Sequence, residues 1–190
     1  MINETDVILF PTDTVYGIGV KPNKEALNKL YEIKKRDRNK KIVALVSSKE
    51  KAYEILEENI LVYNIIDKCF PGELTIISKA NVDFLEKLGY SDDIGVRMPS
   101  NDIALKIIED AGGILMTSSA NLSGENAAIR FEDISSQIIN NVDIVIKNDN
   151  GLSGTSSSIY KIIENEIFEV RKGNFKIDNI EKIKEETFEK

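Results

Sequence analysis

Histidine is absent from these 190 residues, and cysteine occurs once, at Cys69. Without an imidazole, neither a Ser-His-Asp nor a Cys-His nucleophilic triad can be assembled, and histidine-based metal sites are excluded as well. A single thiol makes no internal disulfide and no zinc ribbon, which points to a reducing cytoplasm. No stretch approaches the roughly 18 uninterrupted apolar residues of a membrane span, so no membrane association is expected. The opening Met1-Ile-Asn-Glu-Thr-Asp6 also lacks the basic start and apolar run of a secretory signal. Positive charge is in deficit: 25 Lys and Arg face 32 Asp and Glu, a net charge of −7, so the general basic field of a nucleic-acid-binding protein is missing. GxxxxGK[ST], GxGxxG and the kinase HRD and DFG motifs are missing too, so a bound nucleotide would need a different cradle.

What remains is an ordinary globular composition, 42% hydrophobic and 30% charged, in a length that suits one domain spanning 1–190 with a core over about 7–173. Apolar runs of strand length fall at 7–10, 42–46, 74–78, 94–98, 114–117, 142–146, 158–163 and 167–170. Helical patterns lie between them at 24–35, 50–57, 61–68, 102–110 and 131–140. This alternation predicts a single α/β domain with flanking helices. The hairpin signal in Ile162-Ile-Glu-Asn-Glu-Ile167 adds antiparallel pairing, so the expected sheet is twisted and mixed, with eight strands. Ile177, Ile180 and Ile183 recur every third residue in a charged final segment and predict a helix over about 178–187 docked on the body.

Four polar segments follow apolar runs, where open α/β sheets place their ligand crevice. Pro11-Thr-Asp-Thr-Val-Tyr-Gly-Ile-Gly19 offers hydroxyls, a carboxylate and glycines that let a small polar ligand approach; the same residues suit a helix cap or tight turn. The segment 34–41 packs six cations and one carboxylate into eight residues, a local +5 that leaves the remainder at −12. It suits a polyphosphate, and equally a solvated helix C-terminus. Met116-Thr-Ser-Ser-Ala-Asn-Leu-Ser-Gly124 is rich in donors for anionic oxygens, and Asn150-Gly-Leu-Ser-Gly-Thr-Ser-Ser-Ser158 runs straight into a strand. Both also read as plain turns or solvent loops. Arg97 interrupts an apolar strand and Arg171 closes another, each a partner for a surface acid or for a carboxylate or phosphate ligand. Asp92-Asp93 reads as a turn.

Taken together, seven motifs occur in one order: Pro11 to Gly19, Lys34-x-Arg36 with Lys40, Pro71-Gly-Glu-Leu-Thr75, Val96-Arg-Met-Pro99, Thr117 to Gly124, Gly154-x-x-Ser-Ser-Ile159 and Val170-Arg-Lys-Gly173. Over residues 7–173 this series resembles the YrdC/Sua5 family of L-threonylcarbamoyladenylate synthases. The resemblance implies a YrdC-like fold with a concave basic cleft. It implies a nucleotidyltransferase that converts L-threonine, bicarbonate and ATP into threonylcarbamoyl-AMP and pyrophosphate, the first step towards threonylcarbamoyladenosine in tRNA. Mg²⁺ would travel with the ATP, with no protein-held metal and no organic cofactor.

The resemblance also implies residue roles. Lys34 and Arg36, as the catalytic pair, form with Lys40 a phosphate clamp, Ser119 and Asn121 complete the nucleotide contacts, and Arg171 lies near the adenosine. Thr14, Arg97, Thr117 and Ser157 fall on the threonine side, with Arg97 facing the amino-acid carboxylate and Thr12 and Tyr16 shaping the pocket. Implied partners are tRNA and the proteins that transfer the threonylcarbamoyl group. The chain departs from the family pattern at Lys35, Asp37, Glu73, Ser158, Lys161 and Leu45, and resembles the short single-domain form. An RNA-binding module of the same fold, or another carbamoyl-adenylate chemistry like that of hydrogenase-maturation carbamoyltransferases, stands as the alternative.

Overall fold

A computed structural model describes residues 1–176 and 178–188. Its strands are β1 (Ile8–Pro11), β2 (Tyr16–Val20), β3 (Val43–Val46), β4 (Leu74–Lys79), β5 (Asp93–Arg97), β6 (Ile114–Ser119), β7 (Ile144–Val145), β8 (Ser158–Ile163) and β9 (Glu166–Arg171). They form one sheet in the order β7-β1-β2-β6-β3-β5-β4-β8-β9. β1·β7, β3·β5 and β4·β8 are parallel; the remaining neighbours are antiparallel, and the β8–β9 hairpin turns at Glu164-Asn165. The mixed sheet expected from the sequence is present, with nine strands in place of eight.

The additional strand is β2. Its Tyr-Gly-Ile-Gly-Val sequence contains two glycines, a composition that weakens a strand on propensity alone. Tertiary packing decides otherwise. A Cβ on Gly19 would sit 2.8 Å from Thr117 Oγ1 and 3.1 Å from Phe10, and one on Gly17 would sit 3.0 Å from the Thr117 methyl. Only glycine lets β2 run between β1 and β6 at this spacing.

The helices are α1 (Lys24–Lys34), α2 (Lys49–Ile55), α3 (Ile60–Cys69), α4 (Val82–Leu88), α5 (Asp102–Asp110), α6 (Ser136–Ile139) and α7 (Asp178–Phe188). Each of α1 to α6 opens on an Asn or Ser whose side chain accepts a first-turn N–H: Asn23, Ser48, Asn59, Asn81, Asn101 and Ser135. The expected helix over 131–140 is instead a 3₁₀ turn at Phe131–Asp133 followed by α6, because Ile134 is extended and Ser135 starts a new cap. Of the three isoleucines in the final segment, Ile180 and Ile183 are buried in α7, which packs on α3; Ile177 lies outside the described residues. Among the described residues no helix is long and apolar enough to cross a membrane.

The two sheet faces are buried differently, and this positions the site. Ala44, Val46, Leu74, Ile76, Ile94, Val96, Met116, Tyr160 and Ile162 belong to the main core, with the buried sides of α1 to α4 and α7. On the other face a smaller cluster forms where Ala104, Ile107 and Ile108 of α5 and its C-cap Ala111 cover Ile8, Phe10, Leu45 and Leu115. Burial of each Val, Leu, Ile, Met or Phe side chain among them contributes about 1.5–3 kcal/mol. α5 packs on β1, β3 and β6, leaving the same face open over β4, β5 and β8.

Candidate active site

The open part of that face is a cleft of about 250 Å³. Its lining follows the period of two along each strand: Val43 and Leu45 on β3, Thr75 and Ile77 on β4, Gly95 and Arg97 on β5, Thr117 and Ser119 on β6, Ser157 just before β8 and Ile159 on β8. The β1–β2 turn adds Thr12, Thr14 and Tyr16, and Arg36, Lys41 and Arg171 come from the rim. Four cationic side chains, Arg36, Lys41, Arg97 and Arg171, thus meet one lining carboxylate, Asp93.

Each cation is oriented by a distinct set of oxygens. Arg97, 6% exposed, donates from Nε to Gly72 O at 2.9 Å, from Nη1 to Thr14 Oγ1 at 3.0 Å and from Nη2 to Asp13, with which it forms an ion pair. The second oxygen of Asp13 accepts both the backbone N–H and the hydroxyl of Ser100, at 3.1 Å each. Arg171 donates to Ser157 O at 2.9 Å and to Ser157 Oγ at 3.0 Å, and Ser157 Oγ lies 2.8 Å from Thr75 Oγ1. Burial first, then the charges of Arg97 and Arg36, lowers the Arg171 pKa, so the three guanidinium groups share one positive field. Arg36 is held through Lys40 O at 2.9 Å and Lys41 O at 3.1 Å. Lys41 and Lys161 grip opposite oxygens of Asp93 at 2.6 Å each. Burial opposes ionisation of Asp93, yet the hydrogen bonds from these two lysines bring its pKa below the usual carboxylate value.

Most of the candidates proposed from sequence come together here. Thr12, Thr14, Tyr16, Arg36, Arg97, Thr117, Ser119, Ser157 and Arg171 all line the cleft. Thr12 Oγ1 closes the turn by donating to Val15 O at 2.7 Å, and Thr117 Oγ1 donates to Leu115 O at 3.2 Å. The Tyr16 hydroxyl points away, donating to Asp149 at 2.7 Å and accepting Asn148 N–H at 2.9 Å; burial and the Asp149 bond push its pKa up to about 12. Tyr16 therefore ties the 148–157 segment to the β1–β2 turn. Ser153 N–H to Asp13 O and Gly154 N–H to Thr14 O, at 2.9 and 2.8 Å, add two further ties.

Lys34, Lys40 and Asn121 are not on the cleft wall. Lys40 is exposed and contributes its carbonyl to Arg36. Lys34 is 1% exposed, and its ammonium group donates to Ser119 O and to Asn121 O, the latter at 2.7 Å. Asn121 bonds through Nδ2 to Leu122 O and Glu125 O, while its buried Oδ1 has no partner among the described residues. The end of α1 is thereby fastened to the end of β6. Lys35 turns the chain towards Arg36 with φ 50°, a left-handed cap that glycine adopts more cheaply. Lys35 is one of the departures noted above.

Burial lowers the Lys34 pKa from 10.5 to about 7, helped by Arg36 and opposed by Glu125. Between these values the unfolded chain holds a proton that the folded chain has released, so stability rises with pH from about 7 towards 10. Urea unfolding at pH 7, 8 and 9 should therefore show wild type gaining on Lys34→Met. A pH-independent difference would mean that Lys34 titrates normally.

Sequence reasoning passed over Asp13 as the Arg97 partner, and Lys41, Asp93, Thr75, Gly95 and Ser156 as wall residues. The missed signal was alternation: Gly95 and Arg97, and Thr75 and Ile77, share a face by parity alone. Gly173 supports the wall from behind, since a Cβ there would lie 2.5 Å from Ser156 O and 2.6 Å from Ser158 N. Gly173→Ala is expected to cost about 1–3 kcal/mol by overpacking. The readout is a melting temperature lower by about 2–4 °C per kcal/mol in a chain of this size, and an unchanged value would show that the 156–158 segment yields freely.

Among the described residues no group of three or more His, Cys, Asp or Glu side chains could hold a metal ion. A family model described as "Telomere recombination", covering Sua5, YciO and YrdC, matches residues 1–173. A Methanocaldococcus jannaschii protein, provisionally named a threonylcarbamoyl-AMP synthase, is 33% identical over 177 residues, 92% of this chain and 83% of its own length. The threonylcarbamoyl-AMP synthase of Pyrococcus abyssi is 28% identical over 96% of this chain, which spans only 54% of that protein. The crystal structure of P. abyssi Sua5 complexed with L-threonine superposes with a TM-score of 0.87 at 25% identity, covering 95% of this chain and 54% of the other.

Proposed function

Because the chain belongs to the Sua5/YciO/YrdC family, we propose that it is a threonylcarbamoyl-AMP synthase. The observation that carries this reading is the cleft, in which three guanidinium groups and a set of hydroxyls converge on one sheet face. It is supported by the likeness to a Sua5 structure that holds L-threonine.

In this reaction the threonine amine adds to bicarbonate with loss of water. A carbamate oxygen then forms a bond to the α-phosphorus of ATP, and the bond to the β-phosphate oxygen breaks, releasing pyrophosphate. The substrates supply nucleophile and leaving group, which accounts for chemistry in a chain without histidine. Catalysis then rests on holding the reactants in line, worth up to about 7–11 kcal/mol, and on donors aimed at the phosphate charge.

Arg97, with Thr14, Thr117 and Ser157 beside it, takes the threonine carboxylate and hydroxyl. Arg36 and Ser119 take the phosphates; Arg171, which the resemblance sets near the adenosine, joins them in this reading because its guanidinium lies close enough to feel the charge of Arg36. Lys34 and Asn121 act from behind Ser119, and Lys40 extends the positive rim. Mg²⁺ enters with the triphosphate as part of the substrate. The product passes to threonylcarbamoyl transfer onto tRNA in the cytoplasm. Mass spectrometry of a reaction with ¹³C-bicarbonate tests the assignment: labelled threonylcarbamoyl-AMP supports it, and unlabelled or absent product refutes it.

A further inference from the structure

The cleft's cations fall into two classes. Arg97 is paired with Asp13, and Lys41 with Asp93. Arg36 and Arg171 bond only to neutral oxygens, those of Lys40 and Lys41 for the first and of Ser157 for the second. Among the described residues no carboxylate lies within ion-pairing distance of either. Of three guanidinium groups in one small cleft, a single one is ion-paired. Its side chain and that of Asp13 are 7% and 8% exposed, so water screens this pair little.

We propose that Asp13 sorts the anions that enter the cleft. It offsets part of the charge of Arg97 so that polyphosphate is held at Arg36 and Arg171, and the Arg97 pocket stays free for a singly charged carboxylate. This rests on the reading of the cleft as a site for threonine and ATP together. Such an enzyme faces a selectivity problem, because a triphosphate outcompetes an amino-acid carboxylate for any bare guanidinium. Specificity then needs an element that disfavours the wrong ligand, and a buried carboxylate facing the guanidinium is one.

Asp13 does not line the cleft; it acts through Arg97 and is a positioning residue. The geometry leaves Arg97 able to bind. Nε, Nη1 and Nη2 each use one N–H on Gly72 O, Thr14 and Asp13, which leaves one hydrogen on each Nη for a ligand. Ser100, just before the Asn101 cap of α5, fixes the other Asp13 oxygen, so the carboxylate is held turned from the ligand.

The test is equilibrium dialysis of labelled threonine against the full chain, with inorganic triphosphate as competitor. In wild type, triphosphate at concentrations that displace ATP should leave threonine binding unchanged. In Asp13→Asn, triphosphate should displace threonine, and the threonine-to-triphosphate preference should fall about tenfold or more, the scale of one charge-assisted contact. Dialysis of labelled triphosphate itself should show an added binding component in Asp13→Asn, and adding Arg97→Gln should remove it. A purely structural role for Asp13 would lower stability in both variants and leave the competition pattern unmoved. Displacement of threonine from wild type by triphosphate overturns the sorting role whether or not the variant folds, as does an unchanged preference in folded Asp13→Asn. Failure of wild type to bind threonine at all would instead refute the proposed function, and the sorting role with it.

Discussion

Arg36→Ala is expected to reduce threonine-dependent pyrophosphate release about 10²–10³-fold, the usual loss when one donor aimed at developing charge is removed. Arg36, like Arg171, is a cleft guanidinium with no acidic partner among the described residues, and its two hydrogen bonds go to carbonyls of its own loop. Its truncation is therefore expected to remove the proposed phosphate contact with little structural penalty. The fold is anchored elsewhere in this region: Tyr31 and Tyr90 share a hydrogen bond of 2.8 Å, and Tyr90 accepts Ile42 N–H at 3.0 Å. Steady-state assays should show the loss in kcat/KM for ATP, with a melting temperature close to wild type. Full activity in a folded Arg36→Ala variant would remove the phosphate assignment.

Arg97→Ala carries two effects that must be separated. It removes the group assigned to the threonine carboxylate, and it leaves Asp13 buried without its counter-charge. Breaking a buried pair from one side typically costs about 3–5 kcal/mol of stability. Loss of a desolvated charge contact to a ligand costs about 2–5 kcal/mol, or some 30-fold to several thousand-fold in affinity. The expected result is a threonine KM raised at least about 30-fold with the KM for ATP little changed, in a protein of reduced stability. Pairing the change with Asp13→Asn should restore much of the stability, since both charges are then gone, and restore none of the threonine affinity. An unchanged threonine KM would place the carboxylate elsewhere.

Much of this site was legible because its polar residues punctuate apolar runs. Thr12 and Thr14 follow β1, Thr117 and Ser119 finish β6, and Ser157 precedes β8, so strand ends alone point at the cleft. What escaped was set by packing. Tyr16 to Gly19 reads as a loop by composition, yet its glycines are the condition for a strand beside Thr117. α4 was overlooked between two strands although Asn81 and Gly89 bracket it as caps.

Burial of charge was the other hidden variable. A lysine in a run of cations reads as solvated or ligand-facing, and nothing local signals that Lys34 turns inward to the carbonyls of Ser119 and Asn121, 85 and 87 residues away. The same holds for Asp13, which looks like a turn residue until Arg97 and Ser100 are brought to it across the sheet. Asp92 does take a turn conformation, with φ 69°, but Asp93 opens β5 and is gripped by Lys41 and Lys161.

One cleft is proposed to join threonine, bicarbonate and ATP. The most direct test follows pyrophosphate release from ATP and Mg²⁺ by the purified chain, omitting L-threonine and bicarbonate in turn and replacing threonine by serine in one arm. Release should require both co-substrates and favour threonine over serine. Release independent of threonine, or no release alongside salt-sensitive RNA binding, would contradict it.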